Sequence, residues 1–320
     1  MKLGFISSVF ASDPLEVALG KASQLGLRYV ELGLGGFYGT NHCDPVATAK
    51  EEKLVRHLRG TLDASGVEVS ALAVHGEPLH PNPEIADRYL DEYQAVCRIA
   101  GALGVEKLVL LAGLPGGAPR DETPNWITYP FPNENIQRLE WQWSERLLPY
   151  WTEHARFADD HGVRLCFEMH PNDLVHDPRS LLKLRGEIGN VVGANLDPSH
   201  LVWRGMDIET VIQDLGEAVY HVHAKDAALD DANIRSNGVI DSTAFSAVRD
   251  RAWSFRTVGY GQSELWWRRF FSALRLYGYD GVVSIEHEDP LMDTFEGLQR
   301  AFHYLSRVLP VEPASPLWFE

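Results

Sequence analysis

Residues 161–171 read HGVRLCFEMHP and contain the unit from which the chain is built. Gly162 ends a helical stretch, because glycine tolerates the left-handed conformation that terminates helices. The apolar run that follows is typical of a strand covered on both faces. Glu168 then ends the strand with a carboxylate that requires a partner if it is buried. The same order of helix, glycine and strand recurs in LGLRYVEL (25–32), LGVEKLVLL (103–111) and YGYDGVVSIE (277–286).

Apolar, β-branched runs predict eight strands, at 2–7, 28–33, 67–75, 107–112, 163–168, 191–197, 219–224 and 281–286. Amphipathic helical stretches separate them, and the first begins with Asp13 as its cap and Pro14 in its first turn. This alternation predicts a parallel sheet, either doubly wound or closed into a barrel. Polar residues end many of the strands, and no Gly-rich phosphate turn follows any of them. We therefore predict an α/β fold, a (β/α)8 TIM barrel formed by residues 1–320 as a single domain.

Two long connections depart from a minimal barrel. Residues 113–145 follow the fourth strand as a proline-rich, aromatic loop insertion, and residues 226–262 follow the seventh strand. Both belong to the face where barrel loops carry specificity. Pro149 is expected to kink a helix or to mark its start. The C-terminal tail, 312–320, could dock through Trp318 and Phe319 or cover a contact between subunits.

Composition excludes several classes of protein. The 320 residues include 29 Lys and Arg against 45 Asp and Glu, a formal net charge of -16, which disfavours a nucleic-acid partner. The three cysteines are far apart and form no metal-binding pair, so reduced thiols and a cytoplasmic location are expected. No apolar run approaches the length of about 18 residues that a membrane span requires. The N-terminus flows into a helix and lacks a signal-peptide cleavage pattern.

Four strand ends carry potential metal ligands. Glu168, Asp197, His223 and Glu286 end the fifth, sixth, seventh and eighth predicted strands. Each alone could be a salt-bridge partner, a cap, a core histidine or a solvated acid, but consecutive barrel staves bring all four together. Three carboxylates and one imidazole suit Mn²⁺, Mg²⁺, Co²⁺ or a catalytic Zn²⁺. Without a cation the clustered carboxylates would raise one another's pKa.

The segments FEMHP, NLDPSH, HVHAKD, RTVGYG and GYDGVVSIEHEDP make the chain resemble a known family. It is similar to the xylose-isomerase-like TIM barrel superfamily, also called the sugar phosphate isomerase/epimerase family, over almost its whole length. The resemblance implies that Glu168, Asp197, His223 and Glu286 bind one divalent metal ion, commonly Mn²⁺. None of these four positions departs from the family pattern.

The resemblance also implies an activity. It indicates a metal-dependent sugar isomerase or epimerase acting on a ketose or keto-sugar through a metal-chelated cis-enediolate, with Glu168 and Glu286 exchanging the proton. A first alternative is a 3-keto-sugar or 3-keto-glycoside lyase, including enzymes that cleave C-glycosides together with a small second subunit. A second alternative is a non-catalytic metal- or sugar-binding barrel. A nuclease related to endonuclease IV is disfavoured by the negative charge.

The neighbours of the four ligands complete the predicted site. His170 could act as a general base, His200 could reach a substrate hydroxyl, and Lys225 and Arg256 could stabilise an oxyanion. Substrate contacts are expected from His75, Glu31, His221 and Trp126. A purely structural role stays open for all of these residues. They could support a neighbouring ligand, cap a helix, lie on the surface as basic residues or pack within a loop that covers the site. The expected partner is a small-molecule sugar, and a homo-oligomer is possible.

Overall fold

Eight parallel strands close into a barrel, as the sequence predicts. The structure is a computed structural model that describes residues 1–315 and residue 319. In chain order the barrel strands are β1 (Lys2–Ile6), β2 (Tyr29–Gly33), β3 (Glu68–Ala73), β4 (Lys107–Leu110), β5 (Arg164–Glu168), β6 (Val192–Leu196), β7 (Val219–Ala224) and β10 (Val282–Ile285). Each predicted strand overlaps one of these.

The order of the strands decides where the site forms. β1 pairs with β2 on one side and with β10 on the other, which closes the barrel. The strands β5, β6, β7 and β10 are consecutive neighbours in this order. Since all of them run parallel, their carboxyl ends meet at one face of the barrel. The four predicted metal ligands therefore converge on that face.

Helices fill the connections between the strands. They are α1 (Leu15–Leu25), α2 (Pro45–Lys50), α3 (Glu52–Ser65), α4 (Pro83–Leu103), α5 (Glu134–Trp141), α6 (Leu148–Asp160), α7 (Pro178–Ile188), α8 (Ser199–Val202), α9 (Ile208–Leu215), α10 (Asp231–Asn237), α11 (Glu264–Leu276) and α12 (Thr294–Val308). None of the helices within the described residues is long and apolar enough to cross a membrane.

The helix ends follow the predicted chemistry with one correction. Gly26 and Gly104 end α1 and α4 in the left-handed conformation, with φ angles of 89° and 74°. The predicted cap of α1 by Asp13 is wrong, because the N-cap residue is Pro14 and no side chain caps the helix. Asp13 instead binds the Lys21 ammonium group at 2.6 Å.

Both long connections contain secondary structure. The 113–145 insertion includes α5 and leads through a π-helical turn, Gln142–Leu147, into α6, which begins at Leu148 beside Pro149. The second connection forms an antiparallel hairpin of β8 (Asp226–Leu229) and β9 (Trp253–Arg256). The sequence does not reveal these strands, because DAAL and WSFR lack the continuous apolar, β-branched run by which the barrel strands are predicted. The hairpin places Phe255 and Arg256 beside the carboxyl end of β7.

The predicted docking of the C-terminal tail falls largely outside the described residues. Trp318 belongs to the part of the chain that the structure does not describe. Phe319 is exposed. A role of the tail therefore stays a prediction.

Candidate metal centre

The four predicted ligands lie together at the carboxyl ends of β5, β6, β7 and β10. One ligand atom from each of Glu168, Asp197, His223 and Glu286 can be chosen so that all four atoms lie within 4.8 Å of one another. The Nδ1 atom of His223 lies 2.9 Å from Glu286 Oε2 and 3.2 Å from Glu168 Oε2. The side chains are buried, and that of Glu286, the most accessible, is 12% exposed.

Charge is distributed unevenly among the carboxylates. Burial raises the pKa of Asp197 to about 8, although the nearby Lys225 ammonium opposes this. Burial also disfavours the ionised form of Glu286, but Lys225 and His223 outweigh it and lower its pKa to about 2. Glu168 behaves similarly: hydrogen bonds from His200, His223 and His75 overcome burial and hold its pKa well below the usual range. Without a cation, the cluster retains a proton on Asp197 near neutral pH.

The donor set fits a divalent cation. Asp197 Oδ2 and Glu286 Oε2 are buried and make no hydrogen bond. Around an ion that holds O and N ligands at about 2.0–2.2 Å, adjacent donor atoms lie about 3 Å apart. The separations of 2.9 and 3.2 Å between His223 and the two glutamates match that spacing. A cation at this position would also replace the proton that Asp197 retains.

Asn195 and Tyr38 belong to the surroundings of Glu168, and the sequence analysis missed both. Asn195 donates from Nδ2 to Glu168 Oε2 at 2.8 Å. His75 lies with Nε2 at 3.4 Å from the same oxygen, and Tyr38 contacts His75 Nδ1 at 2.5 Å. The period of two along a strand could have suggested Asn195, which lies two residues before Asp197 and therefore faces the same side. Tyr38 ends a short 3₁₀ helix, Gly36–Tyr38, outside the strands, where no such period applies.

His170 and His200 flank the other side of Glu168. His200 Nε2 lies 3.2 Å from both Glu168 Oε1 and Asp197 Oδ2. The two imidazole rings meet edge to face, with centroids 4.3 Å apart. Burial lowers the pKa of His170 to about 4 and that of His200 to about 3. Both rings are therefore neutral near pH 7 and could accept protons.

The two predicted oxyanion stabilisers are both paired with carboxylates. Lys225 is buried, and its Nζ atom lies 3.1 Å from Glu286 Oε1 and 2.6 Å from Glu288 Oε2. Arg256 donates from Nε to Asp289 Oδ2 at 3.1 Å. Lys225 thus belongs to the cluster, whereas the observed contact of Arg256 is an ion pair beside it.

The comparison with known proteins places the chain in a family. Residues 19–307 match the family described as Xylose isomerase-like TIM barrel. The chain belongs to this family. The uncharacterized protein YfiH of Bacillus subtilis is 33% identical over 312 residues, which cover 97% of this chain and 99% of YfiH.

Solved structures share the xylose isomerase-like barrel. The probable 3-DHS dehydratase AsbF, involved in petrobactin synthesis in Bacillus anthracis, aligns with a TM-score of 0.65 and 17% identity, covering 96% of this chain and 99% of that one. A D-allulose 3-epimerase from Methylomonas sp. aligns with a TM-score of 0.64 and 14% identity, covering 97% and 98%. At these identities the similarity establishes the shared fold.

Trp126 occupies a different environment from the ligand cluster of this xylose isomerase-like protein. Its ring packs edge to face on His176 at 5.6 Å, and it lies against the hydrophobic core. Phe255 of the hairpin is an aromatic residue that adjoins the cluster: its ring lies 5.4 Å from that of His200 and 4.3 Å from Lys225 Nζ. The predicted contact between Trp126 and a substrate stays a prediction.

Two carboxylates anchor the start of the aromatic insertion. Asp173 Oδ2 accepts from the amide of Gly113 at 2.8 Å, and Glu77 Oε2 accepts from the amide of Leu114 at 3.2 Å. Burial raises the pKa of Asp173 well above its ordinary value and that of Glu77 to about 7. The carboxyl group of Glu77 therefore titrates near neutral pH in the folded protein.

We expect Glu77→Gln to stabilise the protein more at pH 8 than at pH 5. The folded pKa of Glu77, about 7, exceeds the unfolded value of 4.5, so stability from this group is lost as pH rises between these values. Glutamine keeps an acceptor for the Leu114 amide and cannot ionise. Thermal unfolding at both pH values measures the effect, with the exposed Glu84→Gln as control. Equal changes in Tm at pH 5 and pH 8 would contradict the assignment.

Proposed function

We propose that the protein is a divalent-metal-dependent isomerase or epimerase of a ketose or keto-sugar. The observation that carries the proposal is the approach of both Glu168 and Glu286 to His223 Nδ1, at 3.2 and 2.9 Å. Two carboxylates around one cation position can act on opposite faces of a substrate bound there. Glu168, Asp197, His223 and Glu286 would hold the cation, for which Mn²⁺ is our first choice.

In the proposed mechanism one glutamate removes a proton from the substrate and the other returns a proton to it. When bound, the cation would polarise the substrate carbonyl and make the adjacent C–H more acidic. Glu168 removes that proton, and the C–H electron pair forms the double bond of an enediolate. Glu286 is ionised at rest, so it takes up a proton from solvent and then returns that proton to the opposite face or to the neighbouring carbon. His200, within 3.2 Å of Glu168, is placed to hold a substrate hydroxyl, and exchange with solvent resets both acids.

We propose a substrate without phosphate. Lys225 and Arg256 are already paired with Glu286 and Asp289, at 3.1 Å in each case. A phosphate would have to compete with these carboxylates for either cation. Neutral imidazoles and the ring of Phe255 are better suited to the hydroxyls and the apolar face of an uncharged sugar.

A lyase is the second candidate, and the setting of His170 supports it. Its Nδ1 atom bonds to the carbonyl of Pro171, so the neutral ring carries its proton there and leaves the Nε2 lone pair available. A neutral base beside Glu168 could remove the proton that starts a β-elimination from a 3-keto-glycoside. The dehydratase among the structural neighbours performs an elimination, which makes this chemistry compatible with the fold.

A panel of ketoses and 3-keto-glycosides in D₂O tests the proposal. We expect protein loaded with Mn²⁺ to incorporate deuterium next to the carbonyl and to release an epimer or isomer, whereas chelator-treated protein is inactive. NMR and mass spectrometry of the products measure both. Release of an aglycone would select the lyase. Absence of both metal binding and turnover would favour the non-catalytic barrel.

The remaining assignments are also proposals. We expect a small-molecule sugar as partner, in a cytoplasmic protein. A homo-oligomer, or a small second subunit if the protein cleaves C-glycosides, stays a prediction that size-exclusion chromatography with light scattering would test.

A further inference from the structure

A buried carboxylate lies directly below the candidate metal centre. Glu31 is on β2, across the barrel from β6, and its side chain is 0% exposed. Its Oε2 atom lies 2.7 Å from His221 Nε2 and 2.9 Å from His223 Nε2, and its Oε1 atom lies 3.0 Å from His223 Nε2. Both carboxylate oxygens are thus engaged by imidazoles of β7.

These contacts define which nitrogen of His223 carries a proton. An ionised carboxylate only accepts hydrogen bonds, so the Nε2 atom of His223 must donate. A cation at the four-ligand site needs a lone pair on Nδ1, so the ring that binds it is neutral and carries its single proton on Nε2. Nδ1 is the atom that faces Glu168 and Glu286 at 3.2 and 2.9 Å. Glu31 therefore stabilises the tautomer of His223 that can bind a cation.

We propose that Glu31 is a positioning residue that fixes the orientation and tautomer of His223 as a metal ligand. This inference rests on the proposed function, because it needs a cation at the four-ligand site. It replaces the predicted contact between Glu31 and the substrate, since neither oxygen of Glu31 is free. A carboxylate behind a ligating imidazole also makes the other nitrogen a stronger donor to the metal.

The contact with His221 gives Glu31 a second anchor. His221 is fully buried, and its Nε2 atom also lies 3.0 Å from Ser284 Oγ on β10. His221 is thus held between Glu31 of β2 and Ser284 of β10, and movement of the Glu31 carboxylate would leave the buried Nε2 atom of His223 without an acceptor, which is costly. The position of His223 is thereby tied to the barrel wall rather than to a loop.

Glu31→Gln tests the proposal through metal affinity. The carboxamide of glutamine can donate a hydrogen bond to Nε2 of His223. His223 can then adopt the tautomer that carries its proton on Nδ1, and this tautomer cannot bind a metal ion through Nδ1. We expect the affinity for Mn²⁺, measured by isothermal titration calorimetry, to fall about 10- to 100-fold. The control is Asp173→Asn, the same change from carboxylate to carboxamide at a buried residue that accepts from the amides of Gly113 and Val175, outside the ligand cluster, for which we expect unchanged affinity.

The outcomes separate this inference from the proposed function. If the wild type binds no divalent ion, the proposed function fails. If the wild type binds Mn²⁺ and Glu31→Gln binds it equally well, only the role of Glu31 fails. A merely structural role would lower Tm in both variants and leave the affinity of the folded protein unchanged.

A measurement on the wild type covers the case in which Glu31→Gln does not fold. Nitrogen-15 NMR of labelled histidine distinguishes a protonated from an unprotonated ring nitrogen. With Mg²⁺ bound, His223 is expected to carry its proton on Nε2 and none on Nδ1. A proton on Nδ1, or a ring protonated at both nitrogens, would overturn the proposal.

Discussion

Replacing Glu168 by glutamine is expected to lower turnover by about 10²–10⁴-fold, the usual contribution of a general base. The carboxylate receives a hydrogen bond from Asn195 at 2.8 Å and lies 3.2 Å from His200, so its basic oxygens are held in one orientation. Glutamine preserves the shape of the side chain and cannot accept the proton. Turnover should be measured at saturating Mn²⁺, so that weaker metal binding does not contribute.

The matching substitution of Glu286 separates the two proton transfers. If Glu168 removes the proton and Glu286 returns it on the other face, Glu286→Gln should still exchange the substrate proton with D₂O but should not form the epimer. Glu168→Gln should do neither. The exposed Glu187→Gln on α7 is the control for loss of a negative charge, and Tm of each variant reports on the fold. Substantial epimerisation by both single variants would exclude the mechanism.

The sequence predicts those features of the protein that depend on local patterns. Glycines such as Gly26 and Gly104 mark helix ends, apolar runs mark strands, and together they predict the barrel, which the structure confirms. Position at strand ends also brings Glu168, Asp197, His223 and Glu286 together, because parallel strands must end on the same face. Their role as metal ligands stays a prediction, but their proximity follows from topology.

Features that depend on partners from distant strands are not predictable in the same way. Glu31 and His221 lie on β2 and β7, and only the closure of the barrel shows that their side chains meet, at 2.7 Å. Arg256 lies in a hairpin whose two strands, DAAL and WSFR, contain no continuous apolar, β-branched run that would predict them. Asp13 could equally cap a helix or bind a lysine, and the choice depends on the rotamer of Lys21.

Lys225 carries the second large expected effect. Its side chain is 3% exposed, and its Nζ atom lies 3.1 Å from Glu286 Oε1, 2.6 Å from Glu288 Oε2 and 3.8 Å from Asp197 Oδ2. In protein treated with EDTA, Lys225→Met should lower the free energy of unfolding by about 3–5 kcal/mol, because it leaves buried carboxylates without their partner. Methionine retains most of the aliphatic stem, so the lost charge dominates the change.

Metal binding should reverse much of that loss. A divalent cation and the Lys225 ammonium repel each other across Asp197 and Glu286, so removing the lysine should strengthen metal binding. Because the two effects are thermodynamically linked, saturating Mn²⁺ should then stabilise Lys225→Met more than the wild type. The free energy of unfolding of the wild type itself should rise by about 2.7 kcal/mol at a free Mn²⁺ concentration of 100 times Kd. The control is Lys183→Met, since Lys183 is an exposed residue of α7 whose Nζ lies 3.9 Å from the Trp143 ring centroid.

Chemical denaturation of the wild type and both variants, each with EDTA and with Mn²⁺, measures the six free energies of unfolding that decide this point. Lys183→Met should shift both curves equally, because its charge lies outside the cluster. If Lys225→Met shows the same loss with and without metal, the lysine and the cation do not act on the same carboxylates. A smaller loss with metal would show that Lys225 balances the charge of the ligand cluster, and that the cation takes over this role when it binds.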